Sequence, residues 1–326
     1  MMRDSEDRRP IDGPSAWFFT GARSKAECSV VLSTEMIAEI RQVAREIEAK
    51  SKTLASVERE DFAFPRLIAL AAAVEHELDD GRGFLVIKGF PVEALGESRS
   101  AIICWGIGNL LGRPMPQNLN GDRLYAVENK RSLDGDALFT SKTNVSIDWH
   151  SDAVYATRVP DYVGLFMVRA SETGGATCLV SGHALYNALL REQPQHLRQL
   201  FEPYLCFRSG VIGPSEEPVI QVPVFERDNG VVTIRYNRQR IEHGYKLKGT
   251  ALTSAEIEAM DCLEAFMNRR DLSLEFNMEA GEMLLLHNRL ILHARSSFTD
   301  SIGPSRQRLL YRLWIQRERS SAGGRT

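Results

Sequence analysis

The sequence predicts a mainly β protein, a jelly roll of two sheets with helices packed outside it and a helical segment inserted late in the chain. Three observations carry this. Helical periodicity is concentrated early, and from about Arg123 onward the text turns to short strands. Those strands do not alternate one by one with helices, which argues against a doubly wound parallel sheet. The segment DYVGLFMVRA, Asp161 to Ala170, is apolar on both alternating faces, as a strand covered from both sides must be.

Taken in order, TEMIAEIRQVAREIEA after Ser33 has apolar residues at Met36, Ile37, Ile40, Val43 and Ile47, with Ser33 placed as N-cap. A second helix is expected from Pro65 to about Leu78. GFLVIKGF, bounded by Gly83 and Gly89, suits a buried strand, and AIICWGIGNLL suits a helix. GATCLVS follows a Gly174-Gly175 turn. Helical text returns at HALYNALLREQ and SAEIEAMDCLEAFMNR, while QVPVFER, VVTIRY, LSLEF, EMLLLH and RQRLLYRLWIQ have strand composition.

Composition limits the function classes. The 326 residues are 43% hydrophobic and 25% charged, the balance of an ordinary globular protein. With 40 basic against 43 acidic side chains, a net charge of −3 gives no reason to expect nucleic acid or an anionic membrane as partner. The expected partners are a small molecule and, at most, further copies of the same chain. Five scattered cysteines form no C-x-x-C pair, which fits a reducing cytoplasm. The N-terminal stretch is polar where a signal peptide needs an apolar run, and no later segment is long enough to span a bilayer. Without a low-complexity linker or repeat, residues 1–326 are expected to form one catalytic domain with frayed ends at about 1–14 and 318–326.

The chemistry is carried by His150 and Asp152 in SIDWHSDAVY and by His293 in NRLILHARSSF. On an extended segment, His-x-Asp puts imidazole and carboxylate on one face and Trp149 and Ser151 on the other. Two imidazoles and one carboxylate can hold a divalent iron through one triangular face and leave the opposite positions open. The triplet alone is a weak signal, and its bland reading is a surface histidine beside a turn aspartate. RQRLLYRLWIQ adds a second feature. As a strand it places Arg306, Arg308, Leu310, Arg312 and Trp314 on one face, and guanidinium groups among apolar neighbours call for an anionic partner.

The run AGEMLLLHNRLILHARSSF, a glycine-acid turn, a strand, an Asn288-Arg289 turn and a second strand ending in His-Ala-Arg, resembles the TauD/TfdA family. These taurine dioxygenase and clavaminate synthase-like proteins are iron- and 2-oxoglutarate-dependent oxygenases. Their pattern has aspartate where this chain has Glu282. The resemblance extends from about Gly83 to Gln316 and implies a double-stranded β-helix. It implies that His150, Asp152 and His293 are the catalytic and metal-binding residues, and that His287, before the Asn-Arg turn, is structural. His76, His183, His196 and His243 are read as helix or loop histidines.

By the same resemblance, Thr177 in Gly-Gly-x-Thr and Arg308 bind 2-oxoglutarate, with Arg306 a weaker rival for the clamp. Arg312 is expected to meet a substrate carboxylate, and Asn144 and Gln117 to face the pocket. Because Asp152 is a carboxylate, oxidation by hydrogen abstraction is implied and halogenation is not. The expected cofactors are Fe(II), 2-oxoglutarate and O2. The expected reaction is oxidation, with hydroxylation the default, of a small carboxylate-bearing substrate such as an amino acid or specialised metabolite, giving succinate and CO2. Arg235, Arg238 and Arg240 in IRYNRQRIEHG offer two readings, further substrate contacts from the inserted region or an exposed charge cluster, of which the second is favoured. The alternatives are a jelly-roll metal enzyme that does not use 2-oxoglutarate, such as a zinc hydrolase or isomerase, and a non-catalytic binding protein.

Overall fold

The computed structural model of the chain describes residues 9–18, 24–129, 143–208, 217–303 and 307–318. In chain order the strands are Ser29–Val31 (β1), Phe84–Lys88 (β2), Arg113–Pro114 (β3), Leu124–Glu128 (β4), Ile147–His150 (β5) and Tyr162–Arg169 (β6). Next come Thr173–Gly174 (β7), Thr177–Ser181 (β8), Pro203–Phe207 (β9), Val219–Pro223 (β10), Phe225–Asp228 (β11) and Val231–Ile234 (β12). Ser273–Phe276 (β13), Glu282–His287 (β14), Ile291–Arg295 (β15), Phe298–Thr299 (β16) and Leu309–Gln316 (β17) complete the set. The α-helices are Thr34–Ala49 (α1), Pro65–Asp79 (α2), Val92–Leu111 (α3), Gly182–Glu192 (α4), Pro194–Leu200 (α5), Arg238–Leu247 (α6) and Ser254–Met267 (α7).

Helix starts follow their sequence signals. The Ser33 hydroxyl accepts from the Met36 amide at 3.2 Å, and Pro65 opens α2 where its missing N–H costs nothing. The segment read as a helix through AIICWGIGNLL begins earlier, at Val92, and bends at Gly96, whose φ of 72° few other residues adopt.

Two sheets face each other. The larger runs β1-β2-β14-β6-β17-β3, with β4 also paired to β17, and the smaller runs β13-β8-β15-β5. The strands of the larger sheet are apolar on both faces because each face is covered. Leu85 and Ile87, Met283 and Leu285, and Leu309, Tyr311, Leu313 and Ile315 point to the layer of α1–α3. Their neighbours Phe84 and Val86, Leu284 and Leu286, and Leu310 and Trp314 point to the smaller sheet. This is the period of two that the sequence shows, and it matches the family's jelly-roll architecture.

Between β8 and β13 lies an insert built from α4–α7 and the hairpins β9–β10 and β11–β12, with its own apolar core. Two features differ from the sequence expectation. QVPVFER is two strands, because after Pro223 the Val224 amide turns away to bond the Leu200 carbonyl at 3.0 Å. IRYNRQRIEHG contains the start of α6. Only Ile241 and Tyr245 give that helix an apolar spacing, so the periodic signal is thin, and its start is fixed by the Asn237 side chain accepting from the Arg240 amide at 3.1 Å.

Leu285, fully buried under the helix layer, should cost about 2–5 kcal/mol when replaced by alanine. Ile302→Ala, at a side chain 97% exposed, should stay within about 0.5 kcal/mol of wild type. Urea unfolding midpoints measure both, and equal losses would contradict this layer assignment.

Candidate metal centre and its anion site

β5 and β15 are antiparallel neighbours in the smaller sheet, and their register sets His150 directly opposite His293. The two imidazole centroids are 4.2 Å apart. The strand ends at His150, so Asp152 is brought in by the turn that follows rather than by strand alternation. His150 Nε2 lies 3.9 Å from Asp152 Oδ1, and one donor atom from each of His150, Asp152 and His293 falls within 4.8 Å of the others. Trp149 and Ser151 do face the other way. The Trp149 indole donates to Asn268 Oδ1 at 3.0 Å, and Ser151 exchanges bonds with the Tyr236 backbone at 3.0 and 3.2 Å.

The turn is held by Asn288, which is completely buried. Its side-chain oxygen accepts from the Asp152 amide at 2.8 Å, and its Nδ2 donates to the Asp152 carbonyl at 2.9 Å and the Pro160 carbonyl at 3.3 Å. Thus the Asn-Arg turn of the second motif fastens the backbone of the first. Glu282, where the family pattern has aspartate, is buried and ion-paired to Lys25 at 2.9 Å.

The donor set fits a divalent cation. His150 Nδ1 is 2.8 Å from the Asp148 carbonyl, which can only accept, so that nitrogen carries the proton and Nε2 keeps a lone pair. Burial, and then the neighbouring His150, push His293 down to about 3 despite the pull of Asp152. Burial alone would raise Asp152. Arg312, followed by His293 and His150, outweighs it and holds the carboxyl below its ordinary value. Arg312 Nη1 takes one oxygen, Oδ1, at 3.1 Å. The other, Oδ2, and His293 Nδ1 are buried without a hydrogen-bond partner among the described residues. Neutral imidazoles beside an ionised carboxylate with an unshared oxygen suit a metal, and without one those atoms go unsatisfied.

Arg312 therefore faces the triad. Its Nε donates to Gln117 Oε1 at 2.8 Å, and Gln117 returns a bond to the Arg312 carbonyl at 2.8 Å. The guanidinium lies between the rings of Trp314, at 4.9 Å, and Tyr125, at 5.3 Å.

A second cationic site is built around Phe298, whose ring lies 5.2 Å from the Arg308 guanidinium and 4.8 Å from that of Arg295. Both arginines are buried. Burial first, and for Arg295 the neighbouring Arg308 as well, pull each down to about 10. Asp300 is the nearby acid, and its Oδ1 is engaged by the Arg308 backbone amide at 2.8 Å. Arg308 Nε and Nη1 and Arg295 Nε are buried without a hydrogen-bond partner among the described residues. Thr177 on β8 sits opposite Arg295 in register. The Gly-Gly turn that leads into it is required, because a Cβ on Gly174, at φ 72°, would lie 2.3 Å from the Ser297 carbonyl. Two buried guanidinium groups whose forks are not filled call for an incoming carboxylate.

The remaining expectations sort as follows. His287 lies outside the metal cluster: it packs edge-on against Tyr162, accepts from the Arg289 amide at 3.3 Å, and is pushed by burial down to about 4. His183 bonds Ser15 and the Val232 carbonyl, each at 2.8 Å. Asn144 is exposed, and its carbonyl accepts from the Phe298 amide at 3.0 Å. Arg306 lies outside the described residues. Arg235 pairs with Glu226, and Arg238 with Glu242, Asp261 and Glu264. Arg240 is no part of an exposed cluster, being turned inward over the Tyr155 ring at 4.2 Å. Sequence reasoning did not place Asn288 or Arg295 at these positions, and it offered Arg240 as a contact from the insert only behind the exposed-cluster reading. For the first two the signal was present in the spacing of Asn-Arg and His-x-Arg around His293.

Comparison with known proteins agrees with this chemistry. Residues 49–314 match the family model described as taurine catabolism dioxygenase TauD, TfdA family. The FR-33289 synthase of Streptomyces rubellomurinus is 28% identical over 95% of this chain and 91% of its own length. A uridine-5'-phosphate dioxygenase from a Streptomyces species is 30% identical over 72% of this chain and 86% of its own. The crystal structure of asparagine oxygenase superposes with a TM-score of 0.71 at 20% identity, covering 90% of this chain and 94% of the other. The chain belongs to the TauD/TfdA family. It is a non-haem iron, 2-oxoglutarate-dependent dioxygenase, which selects among the readings that the sequence left open.

Asn288→Ala leaves the Asp152 amide and two carbonyls without their partner. The expected loss is at least about 1–3 kcal/mol of unfolding free energy, measured by chemical denaturation. A variant within about 0.5 kcal/mol of wild type would show that the turn holds without it.

Proposed function

We propose that His150, Asp152 and His293 hold Fe(II), that Arg308 and Thr177 hold the remote carboxylate of 2-oxoglutarate, and that the chain is one catalytic unit oxidising a small anionic molecule. The observation that carries this is the cross-strand pair His150 and His293 beside an Asp152 oxygen with no partner among the described residues, in a chain of the TauD/TfdA family. When iron, 2-oxoglutarate and O2 are bound, the chemistry they supply is decarboxylation to succinate and CO2 coupled to oxidation of a C–H bond.

The chain's own residues do the rest. Asp148 fixes the His150 ring through Nδ1, so the Nε2 lone pair is aimed without reorganisation. Arg312 holds Oδ1 of Asp152 and keeps the carboxylate ionised. Arg308, with Arg295 across the Phe298 ring, offers a charge-assisted fork that costs little to organise because it is already buried and walled. A carboxylate at position 152 occupies the place that a halide would need, so hydroxylation is the expected outcome.

Arg312 serves the substrate side as well, as a cation between two aromatic rings beside the triad. Asn144 enters as a substrate contact, on the segment that Arg295 anchors through the Thr143 carbonyl at 2.9 Å. The substrate is read as a small acid, an amino acid or specialised metabolite, in keeping with relatives named for an amino acid, a nucleotide and glutarate. Among the described residues no helix is long and apolar enough to cross a membrane, in keeping with a cytoplasmic enzyme.

Purified protein given Fe(II), 2-oxoglutarate and air should release succinate. His293→Ala should abolish it while His287→Ala retains it, and the reverse result would move the metal site. Arg308→Gln should raise the KM for 2-oxoglutarate about 10- to 100-fold, the worth of a charged hydrogen bond. An unchanged KM would assign the clamp to another arginine.

A further inference from the structure

The insert is stitched to the metal loop. His150 forms an isolated antiparallel bridge with Asn237, and Ser151 and Tyr236 exchange two hydrogen bonds. Asn237 then caps α6 through the Arg240 amide, so the first turn of that helix starts beside the triad and Arg240 is rigidly placed. Its guanidinium stacks 4.2 Å over Tyr155, a residue of the same loop as Asp152, and reaches the Phe207 carbonyl at 3.5 Å. Asp152 and Arg312 both act on it electrostatically, and it acts on His150. The charged influences on Arg308 and Arg295 lie elsewhere: Asp300 acts on both, and Arg308 acts on Arg295.

The cations thus fall into two groups, one at Phe298 and one beside the triad. A cosubstrate tail accounts for the first. The second has Arg240 and Arg312 with aromatic walls, which suits a charged group that arrives with the substrate. We propose that Arg240 is a specificity-determining residue: supported by the Tyr155 ring and tied to the metal loop through the Asn237 cap, it binds an oxyanion group of the substrate, a carboxylate, phosphonate or phosphate. This rests on the dioxygenase reading above and adds a substrate contact from the inserted helix to that of Arg312 on the jelly roll.

The test is calorimetric titration of the 2-oxoglutarate-saturated protein, anaerobic and loaded with Fe(II), using acetate, methylphosphonate and inorganic phosphate as separate probes. Wild type should bind at least one of them, and the tightest identifies the oxyanion. Arg240→Gln should weaken that probe about tenfold or more, and Arg240→Lys, which keeps charge but loses the fork, should fall between. The Arg240 variants should keep the wild-type affinity for 2-oxoglutarate. Binding unchanged within about twofold in Arg240→Gln, or no probe bound by wild type, overturns the proposal. Succinate release in air, measured on the same preparation, reports separately on the dioxygenase reading, so the two failures are distinguishable.

Discussion

The antiparallel pairing of β5 with β15 is the constraint on which the rest depends. It sets His150 against His293 across one ladder, although the two residues are far apart in the chain. The same β15 pairs on its other side with β8, where Arg295 meets Thr177. Metal end and anion end are therefore two residues apart on one strand, about 7 Å, a span on the scale of a five-carbon diacid. A slip of one residue would turn the whole set to the opposite face. Asn288 completes the arrangement by fastening the Asp152 backbone from the turn between β14 and β15.

Charge is managed locally. Asp152 is deeply buried, and Arg312 offsets the burial by holding one oxygen while the other has no partner among the described residues. The histidines stay neutral because burial opposes their protonation, which is the state in which an imidazole can ligate. At Phe298 two buried guanidinium groups share one nearby carboxylate, so positive charge is in excess there. Each half is incomplete alone, and each is completed by a ligand of opposite charge.

The sheet strands and first helices were legible because their signals are local. Ser33, Pro65 and the two-faced apolar runs at Tyr162–Arg169 and Leu309–Gln316 state their roles within a few residues. The triad was legible through motif order, and the choice of His293 over His287 agrees with the cluster that the fold assembles. Arg240 was not. Its segment is mostly polar, two of its three arginines do pair with nearby acids, and only the tertiary path of the insert turns the third toward the metal loop. Asn288 was seen as a turn residue, since nothing local says that its amide is buried against a carboxylate-bearing loop 136 positions away. Asp152 joins His150 through a turn rather than a strand, a detail that spacing alone does not distinguish.

The central claim is that these three side chains form one site for iron chelated by 2-oxoglutarate. An anaerobic absorption titration tests it most directly: Fe(II) is added to the purified protein, followed by 2-oxoglutarate. The account predicts a visible metal-to-ligand charge-transfer band that saturates at one iron per chain and disappears in His293→Ala. Absence of the band in wild type, or its full retention in that variant, would contradict it.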